Sequence, residues 1–352
     1  MTTTADARAE FAPEVVYLDT PTMGLPPRTA LRALRDALTA WAAGRSTAAD
    51  YDGSVDRSRA AYARLVQVPV ERVAIGSQAS SLVGIVAASL PAGSTVLAAE
   101  GEFTSLTFPF LAQAARGVVV REVPLERLLE SIGPDVDLVA VSAVQSRDGR
   151  VTDLDALAAA CDAAGTRALV DATQAAGWLP IDAGRFAYTV TAGYKWLLGP
   201  RGTGYLTVAP GLEADLVPHA ANWYAGERPW ESIYGTPLRL AHGVRRFDTS
   251  PAWHSWVGAA PALELLVDVG AAALHEHAVG LANRFRTGVG LETSGSAIVS
   301  VGVDDQAAGR LLAASVRGSV RDGRTRLGFH VSTSADDVDR AVEALAGHVL
   351  PA

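Results

Sequence analysis

The stretch AYTVTAGYKWLLGPRGTGYLTV, Ala187 to Val208, decides the fold. It places Lys195 between a β-branched run ending at Ala192 and the apolar pair Leu197 and Leu198, with Gly-Pro-Arg-Gly-Thr-Gly behind them. One reading is a solvated lysine in a loop between two strands. The other is a buried amine, whose pKa falls on desolvation so that it acts as a nucleophile toward aldehydes and as a base near neutral pH.

What separates these readings lies upstream. Arg167 to Asp182 reads RALVDATQAAGWLPID, a short apolar strand ending in Asp171, then Thr173 and Gln174. A carboxylate at the carboxyl end of a buried parallel strand points into the crevice where such sheets bind ligands. Facing a pyridinium ring, it would keep the ring nitrogen protonated and the ring an electron sink. Further upstream, Val73-Ala-Ile-Gly-Ser-Gln-Ala-Ser-Ser opens an apolar helix running to about Leu90. Small residues and free backbone amides at a helix start suit an anion, although a plain serine cap reads the same way.

In this order, the Gly-Ser loop, Asp-x-x-Gln, Lys-Trp-Leu-Leu-Gly-Pro and a late arginine resemble the fold-type I pyridoxal phosphate enzymes of the class V aminotransferase family. That family includes cysteine desulfurases, kynureninases and isopenicillin N epimerase-like proteins. The resemblance implies an α/β fold: a large domain with a mainly parallel sheet between helices, and a smaller C-terminal α+β domain. The expected boundaries are an N-terminal segment over 1–20, the large domain over 21–260 and the small domain over 261–352.

It also implies roles for residues. Lys195 would hold pyridoxal 5'-phosphate covalently and move the α-proton, and Asp171 would face the ring nitrogen. Ser77, Gln78 and Tyr194 would contact the phosphate, and Phe103, where kynureninases carry phenylalanine, would stack on the ring. Gln145 is expected to donate to the ring's phenolic oxygen, with Ser146 as the alternative and Gln174 as a second neighbour. Relatives often carry serine where this chain has Ala192, so one phosphate contact must come from elsewhere, with Thr191 as the candidate. Ser250 matches a position that reaches the neighbouring subunit's cofactor, which implies a homodimer with shared sites. Arg326 stands where relatives grip the substrate α-carboxylate, with Arg321 as competitor. Thr22 and Met23 lie in an early loop that approaches the substrate in the family.

From His219 onward the chain turns aromatic without helical or alternating period. These residues read either as anchors for a long loop or a dimer contact, or as an aromatic-lined site suited to cations and flat heterocycles. Trp223, Tyr224 and Trp253 are the expected substrate contacts. The wording NWYAGERPWESIYG, then RRFDTSPAWHSWVGAAPALE, resembles the carbon–sulfur lyases of ergothioneine biosynthesis. These are β-lyases acting on hercynylcysteine sulfoxide, which carries a trimethylammonium group and an imidazole.

Composition limits the alternatives. The chain has 352 residues, 49% of them hydrophobic, which is enough for a large domain and a smaller one. A net charge of −8 without a basic run argues against a nucleic-acid surface. MTTTADARAEFAPE has no basic region leading into an apolar core, and the apolar stretch from Val73 to Ala99 is broken by Gly and Pro. The expectation is a cytoplasmic enzyme with no membrane partner. The single cysteine, Cys161, lies in an Ala/Leu-rich helix, leaving no intrachain disulfide and no cysteine-rich metal site, so no metal is expected. A desulfurase would need a mobile late cysteine, and none is present. The arginine-bearing helix over about 55–66 reads as a solvated face.

Overall fold

The computed structural model describes residues 2–350. The strands, in chain order, are β1 (Val16–Tyr17), β2 (Val73–Gly76), β3 (Thr95–Ala99), β4 (Val119–Val123), β5 (Leu138–Ser142), β6 (Arg167–Asp171), β7 (Tyr188–Ala192), β8 (Gly204–Val208), β9 (Ile298–Val301), β10 (Val316–Arg317), β11 (Ser319–Arg321) and β12 (Arg324–Gly328). Seven of them form one sheet in the order β2-β8-β7-β6-β5-β3-β4. Pairing is parallel throughout, except that β8 runs antiparallel to both neighbours. Strands β5, β7 and β8 are buried along their whole length. Helices cover both faces, so these strands read as continuous apolar runs rather than alternating ones.

This topology sets the site. Strands β2, β3, β5, β6 and β7 all point the same way, so the residues after Gly76, Ala99, Ser142, Asp171 and Ala192 gather on one edge of the sheet. Three tight approaches hold that edge together. Gly24 donates its N–H to the Tyr194 carbonyl at 2.9 Å, and a β-carbon there would sit 2.1 Å from the Lys195 carbonyl oxygen. Gly177, at φ +111°, passes so close that a β-carbon would lie 2.3 Å from the Trp196 carbonyl. Leu198 takes φ +59°, which closes the turn after the lysine.

The smaller domain is a three-stranded antiparallel sheet, β11-β12-β9, packed against helices Ala271–Gly288 and Ala335–Leu345. Two boundaries differ from expectation. Pro261 lies inside a continuous helix, Trp253–Val269, whose apolar face packs on helices Arg28–Ala42 and Asp52–Leu65 of the large domain. The chain leaves that layer only at Gly270, which takes a left-handed φ of +91°. The N-terminal segment is likewise built into the small domain, because β1 pairs in parallel with β10.

The helix Asp52–Leu65 also differs from its reading as a solvated face. Arg59 is buried and forms a two-pronged pair with Asp248, with Nη1 3.1 Å from Oδ1 and Nη2 2.8 Å from Oδ2. It also donates to the Val73 carbonyl at 2.7 Å, while Asp248 accepts the Ile75 N–H at 2.8 Å. A buried charge persists only with this degree of pairing, and here it fastens the long aromatic segment to β2.

Among the described residues, no single helix is long and apolar enough to cross a membrane.

Candidate active site

Ser77, Gln78, Phe103, Ser146, Asp171, Thr173, Gln174, Tyr194, Lys195 and Arg201 line one pocket at the carboxyl edge of the sheet. Lys195 leaves β7 through Gly193 and Tyr194 and is only 5% exposed. Burial lowers its pKa to about 8; Asp171 opposes the shift, and the charges of Arg326, Arg321 and Arg201 add to it. Its Nζ lies 5.1 Å from the Phe103 ring centroid and 5.8 Å from that of Tyr194. The lysine is therefore the desolvated amine, not the solvated one.

Asp171, buried at the end of β6, has its carboxyl pKa pushed up by burial, against the pull of the Thr173 hydrogen bonds and Lys195. Its Oδ1 accepts the Thr173 N–H at 2.8 Å. The Thr173 hydroxyl in turn accepts the Ala192 N–H at 3.0 Å, linking the aspartate strand to the lysine strand. Gln174 Nε2 donates to Ser146 Oγ at 2.9 Å and to the Pro21 carbonyl at 3.0 Å. Its Oε1 accepts the Trp196 indole N–H at 2.7 Å.

The helix Ala79–Ser89 begins at this pocket with Gln78 at its N-cap, and no side chain caps its first turn. Its leading amides are thus free to meet an anion, with Ser77 and Ser80 beside them. An uncapped helix start, a buried lysine of lowered pKa and a buried aspartate in one pocket fit a phosphorylated pyridine aldehyde.

Several expected contacts fall elsewhere. Gln145 is buried but turned away: its Nε2 donates to Glu102 Oε1 at 2.7 Å, and Ser146 lines the pocket instead. The reason is Glu102, a buried carboxylate that also accepts the Ser142 N–H at 2.7 Å and the Ser142 hydroxyl. Thr191 cannot supply the missing phosphate contact, since its hydroxyl is buried against Tyr62 Oη at 2.8 Å. Trp223, Tyr224 and Trp253 do not line the Lys195 pocket of their own chain. Tyr224 donates to Asp52 Oδ1 at 3.2 Å and Trp230 to Asp52 Oδ2 at 2.8 Å, while Trp223 packs on both rings. Trp253 stacks on Tyr51 at 5.7 Å. Asp52, at the start of a helix, thus holds Tyr224 and Trp230, and through them Trp223, as anchors of a long loop within this chain. Ser250 is exposed and lies outside its own chain's pocket.

Arg326, on β12, is 1% exposed; it donates to the Ser146 carbonyl and hydroxyl and, at 2.9 Å, to the Thr22 hydroxyl. Arg321 reaches the same Thr22 oxygen at 3.1 Å. Both arginines that competed for one role, and the early-loop threonine, therefore meet.

A family model described as aminotransferase class-V matches residues 16–306. The chain belongs to the class V aminotransferase family. An uncharacterized aminotransferase of Bacillus subtilis, YcbU, is 31% identical over 62% of this chain, and the match spans 60% of that protein's length. A kynureninase of Deinococcus radiodurans is 28% identical over 80% of this chain and 73% of its own. In fold, the chain is similar to the cystine C–S lyase C-DES, with a TM-score of 0.84 at 23% identity over 95% of this chain and 98% of that one. The cysteine desulfurase CsdA of Escherichia coli gives 0.83 at 18% identity, covering 98% of each chain. Another structure of the C–S lyase, a lysine variant, holds glycine covalently linked to its pyridoxal phosphate cofactor. The sheet order, the helical layers and the C-terminal domain are those of fold-type I. Pyridoxal phosphate is the cofactor of this family, and Lys195, Asp171, Phe103 and the uncapped helix start are the residues of this chain that would hold it.

Two supporting residues escaped the sequence reading. Glu102 is inconspicuous in Glu-Gly-Glu-Phe, and only the pairing of β3 with β5 brings it to Ser142 and Gln145. His330 is buried with its pKa lowered to about 4 by desolvation, and its Nε2 lies 2.8 Å from the Trp196 carbonyl, so the neutral ring donates to the turn after the lysine.

Proposed function

We propose that this chain is a pyridoxal phosphate-dependent carbon–sulfur β-lyase that cleaves hercynylcysteine sulfoxide, releasing a sulfenic acid, pyruvate and ammonia. The observation that carries the reading is Lys195 beside Asp171 in one pocket, with Arg326 held against the pocket residue Ser146, in a chain with no cysteine available to take up sulfur. Cys161, the single cysteine, is buried in helix Leu154–Ala164, and burial pushes its thiol up to about 11. A desulfurase needs a reachable thiolate, which this thiol does not offer.

When bound, the cofactor supplies an electron sink for charge developing at the substrate Cα. The chain's residues do the rest. Arg326 orients the substrate by its α-carboxylate, which fixes which bond at Cα stands across the pocket. Lys195 Nζ takes the Cα proton; at a pKa of about 8 a substantial share of the amine is free near neutral pH. Asp171 keeps a proton on the ring nitrogen through its negative charge. The Cβ–S bond then breaks with its electron pair leaving on sulfur. A sulfoxide sulfur accepts that pair far better than a thioether and departs as a sulfenic acid once protonated. Water completes the products, giving pyruvate and ammonia.

The substrate assignment rests on the resemblance of the 222–264 segment. The active unit in this proposal is a homodimer, in which the aromatic loop and the exposed Ser250 of one chain approach the pocket of the other. A second reading, kynureninase-like carbon–carbon cleavage, is favoured by Phe103 and Tyr194 flanking the lysine and by the kynureninase match. Product analysis distinguishes the two. The lyase yields pyruvate and ammonia in equal amounts from hercynylcysteine sulfoxide and no alanine from kynurenine. Alanine and anthranilate from kynurenine, without pyruvate from the sulfoxide, would replace the first reading with the second.

A further inference from the structure

Two guanidinium groups share one hydroxyl beside this site, behind the pocket residue Ser146. Arg326 Nη2 donates to Thr22 Oγ1 at 2.9 Å and Arg321 Nη2 donates to the same oxygen at 3.1 Å, so the two nitrogens lie within about 6 Å of each other. The strand register produces this. Ser319 pairs directly with Arg326 across β11 and β12, and Arg321, two residues beyond Ser319, projects from the same face. The diagonal neighbour of a long side chain is within its reach.

Like charges this close repel unless an anion lies between them. Among the described residues neither arginine forms an ion pair, and Asp322, next to Arg321, is taken by Arg147 at 3.2 Å. Asp19 acts on Arg326 through its field but hydrogen-bonds to neither arginine. Arg326, 1% exposed, has its Nε without any partner. The Thr22 hydroxyl, accepting from both arginines, has its own proton left to donate. The cluster presents donors from two cations and one hydroxyl; the buried Asp19 carboxylate reaches Arg326 through its field alone, and among the described residues no carboxylate pairs with Arg321. A single substrate α-carboxylate answers Arg326 and leaves Arg321 unmatched.

We propose that Arg321, held beside Arg326 by Thr22, binds a second carboxylate, so that this enzyme selects cysteine S-oxide conjugates bearing an anionic group on the half that leaves with sulfur. The inference rests on the lyase reading and deepens it: hercynylcysteine joins two amino acids and carries a carboxylate on each half. Arg321 is then a specificity-determining residue, while Arg326 serves every amino acid substrate alike.

The test compares the holoenzyme with Arg321→Gln on two conjugates, S-(2-carboxyethyl)-cysteine sulfoxide and S-propyl-cysteine sulfoxide, by pyruvate release. Wild type should favour the carboxylated conjugate by at least about 10-fold in kcat/KM. The substitution should remove that preference through the KM of the carboxylated conjugate, by roughly 10- to 100-fold as for a hydrogen bond to a charged group, while any effect passed on through Lys195 falls on both conjugates alike and leaves their ratio unaffected. Arg321→Lys, which keeps the charge, should retain part of the preference. Calorimetric titration with adipate and hexanoate, which do not react, provides a readout independent of turnover. Arg321→Gln should weaken adipate about 10-fold or more and leave hexanoate alone, and retained hexanoate binding shows that the variant is folded. Equal losses for both acids and both conjugates would place Arg321 in the α-carboxylate grip and overturn the proposal, as would no loss at all. If no conjugate is cleaved, the lyase reading fails, and the adipate comparison still decides the second-carboxylate site.

Discussion

Trp196 donates its indole N–H to Gln174 Oε1 at 2.7 Å, tying the residue after the lysine to the residue three positions beyond the aspartate. Gln174 uses its whole amide, since Nε2 also holds Ser146 and the Pro21 carbonyl, and its backbone carbonyl accepts the Trp178 indole at 2.7 Å. Gln174→Leu would leave the Trp196 N–H and the Pro21 carbonyl unsatisfied in a buried place. The expected cost is about 1–3 kcal/mol of stability, read as a lowered midpoint in urea, together with weaker cofactor retention on dialysis.

Lys195 should respond to pH in two measurable ways. The free amine is the nucleophile toward an aldehyde, so cofactor uptake by the apoprotein should accelerate as pH rises through about 8 and level off above it, followed by absorbance. In the folded apoprotein the lysine pKa is lowered from its ordinary 10.5, so between pH 8 and 10.5 the unfolded chain binds the extra proton. Stability from this group therefore rises with pH across that window, and the cost is complete below pH 8. Lys195→Met apoprotein should exceed the wild-type apoprotein in stability at pH 7, by an amount on the order of 3 kcal/mol, and the gap should shrink toward pH 10.5. Equal stability at both pH values would contradict a desolvated lysine.

The Arg59–Asp248 pair gives a prediction about the scaffold alone. Asp248→Ala leaves Arg59 charged and buried, with the Ile75 N–H unpaired, and should cost about 3–5 kcal/mol in chemical denaturation. Replacing both partners with apolar residues, Arg59→Met with Asp248→Leu, should recover most of that loss. A double variant as unstable as the single one would show that the pair contributes more than mutual neutralisation.

Asp171→Asn keeps the shape and most hydrogen bonds of the residue but removes the charge that would hold a proton on the ring nitrogen. Turnover should fall by about 100-fold or more, comparable to removing one preorganised electrostatic group. The variant should still take up cofactor through Lys195, so the expected pattern is a coloured, slow enzyme. A colourless variant would instead assign Asp171 to cofactor binding alone.

Much of this arrangement is legible in the sequence because its signals are local. Apolar runs ending in Asp171 and Ala192 mark strands, the Gly-Ser-Gln-Ala-Ser run marks a helix start, and Lys195 stands out against Leu197 and Leu198. What is not legible depends on contacts between distant segments. Gln145 and Ser146 differ by one position, and which faces the pocket follows from a buried Glu102 forty-three residues before Gln145. The arginines of helix Asp52–Leu65 look alike in sequence, yet Asp248, 189 residues away, draws Arg59 inward. The aromatic segment has no periodicity to orient it, and Asp52, far upstream, fixes Tyr224 and Trp230. The expected domain boundary at 261 falls inside helix Trp253–Val269, because that helix packs on the large domain along its length.

The central claim is that Lys195 holds the cofactor and drives carbon–sulfur cleavage. The most direct test is an absorbance spectrum of purified protein with pyridoxal phosphate, repeated after adding hercynylcysteine sulfoxide with pyruvate assayed in the same cuvette, for wild type and Lys195→Ala. By this claim, wild type should show a visible band that changes on addition while pyruvate accumulates, and Lys195→Ala should show neither the resting band nor pyruvate. Pyruvate formed by Lys195→Ala at a rate near wild type, in buffer free of added amines, would contradict it.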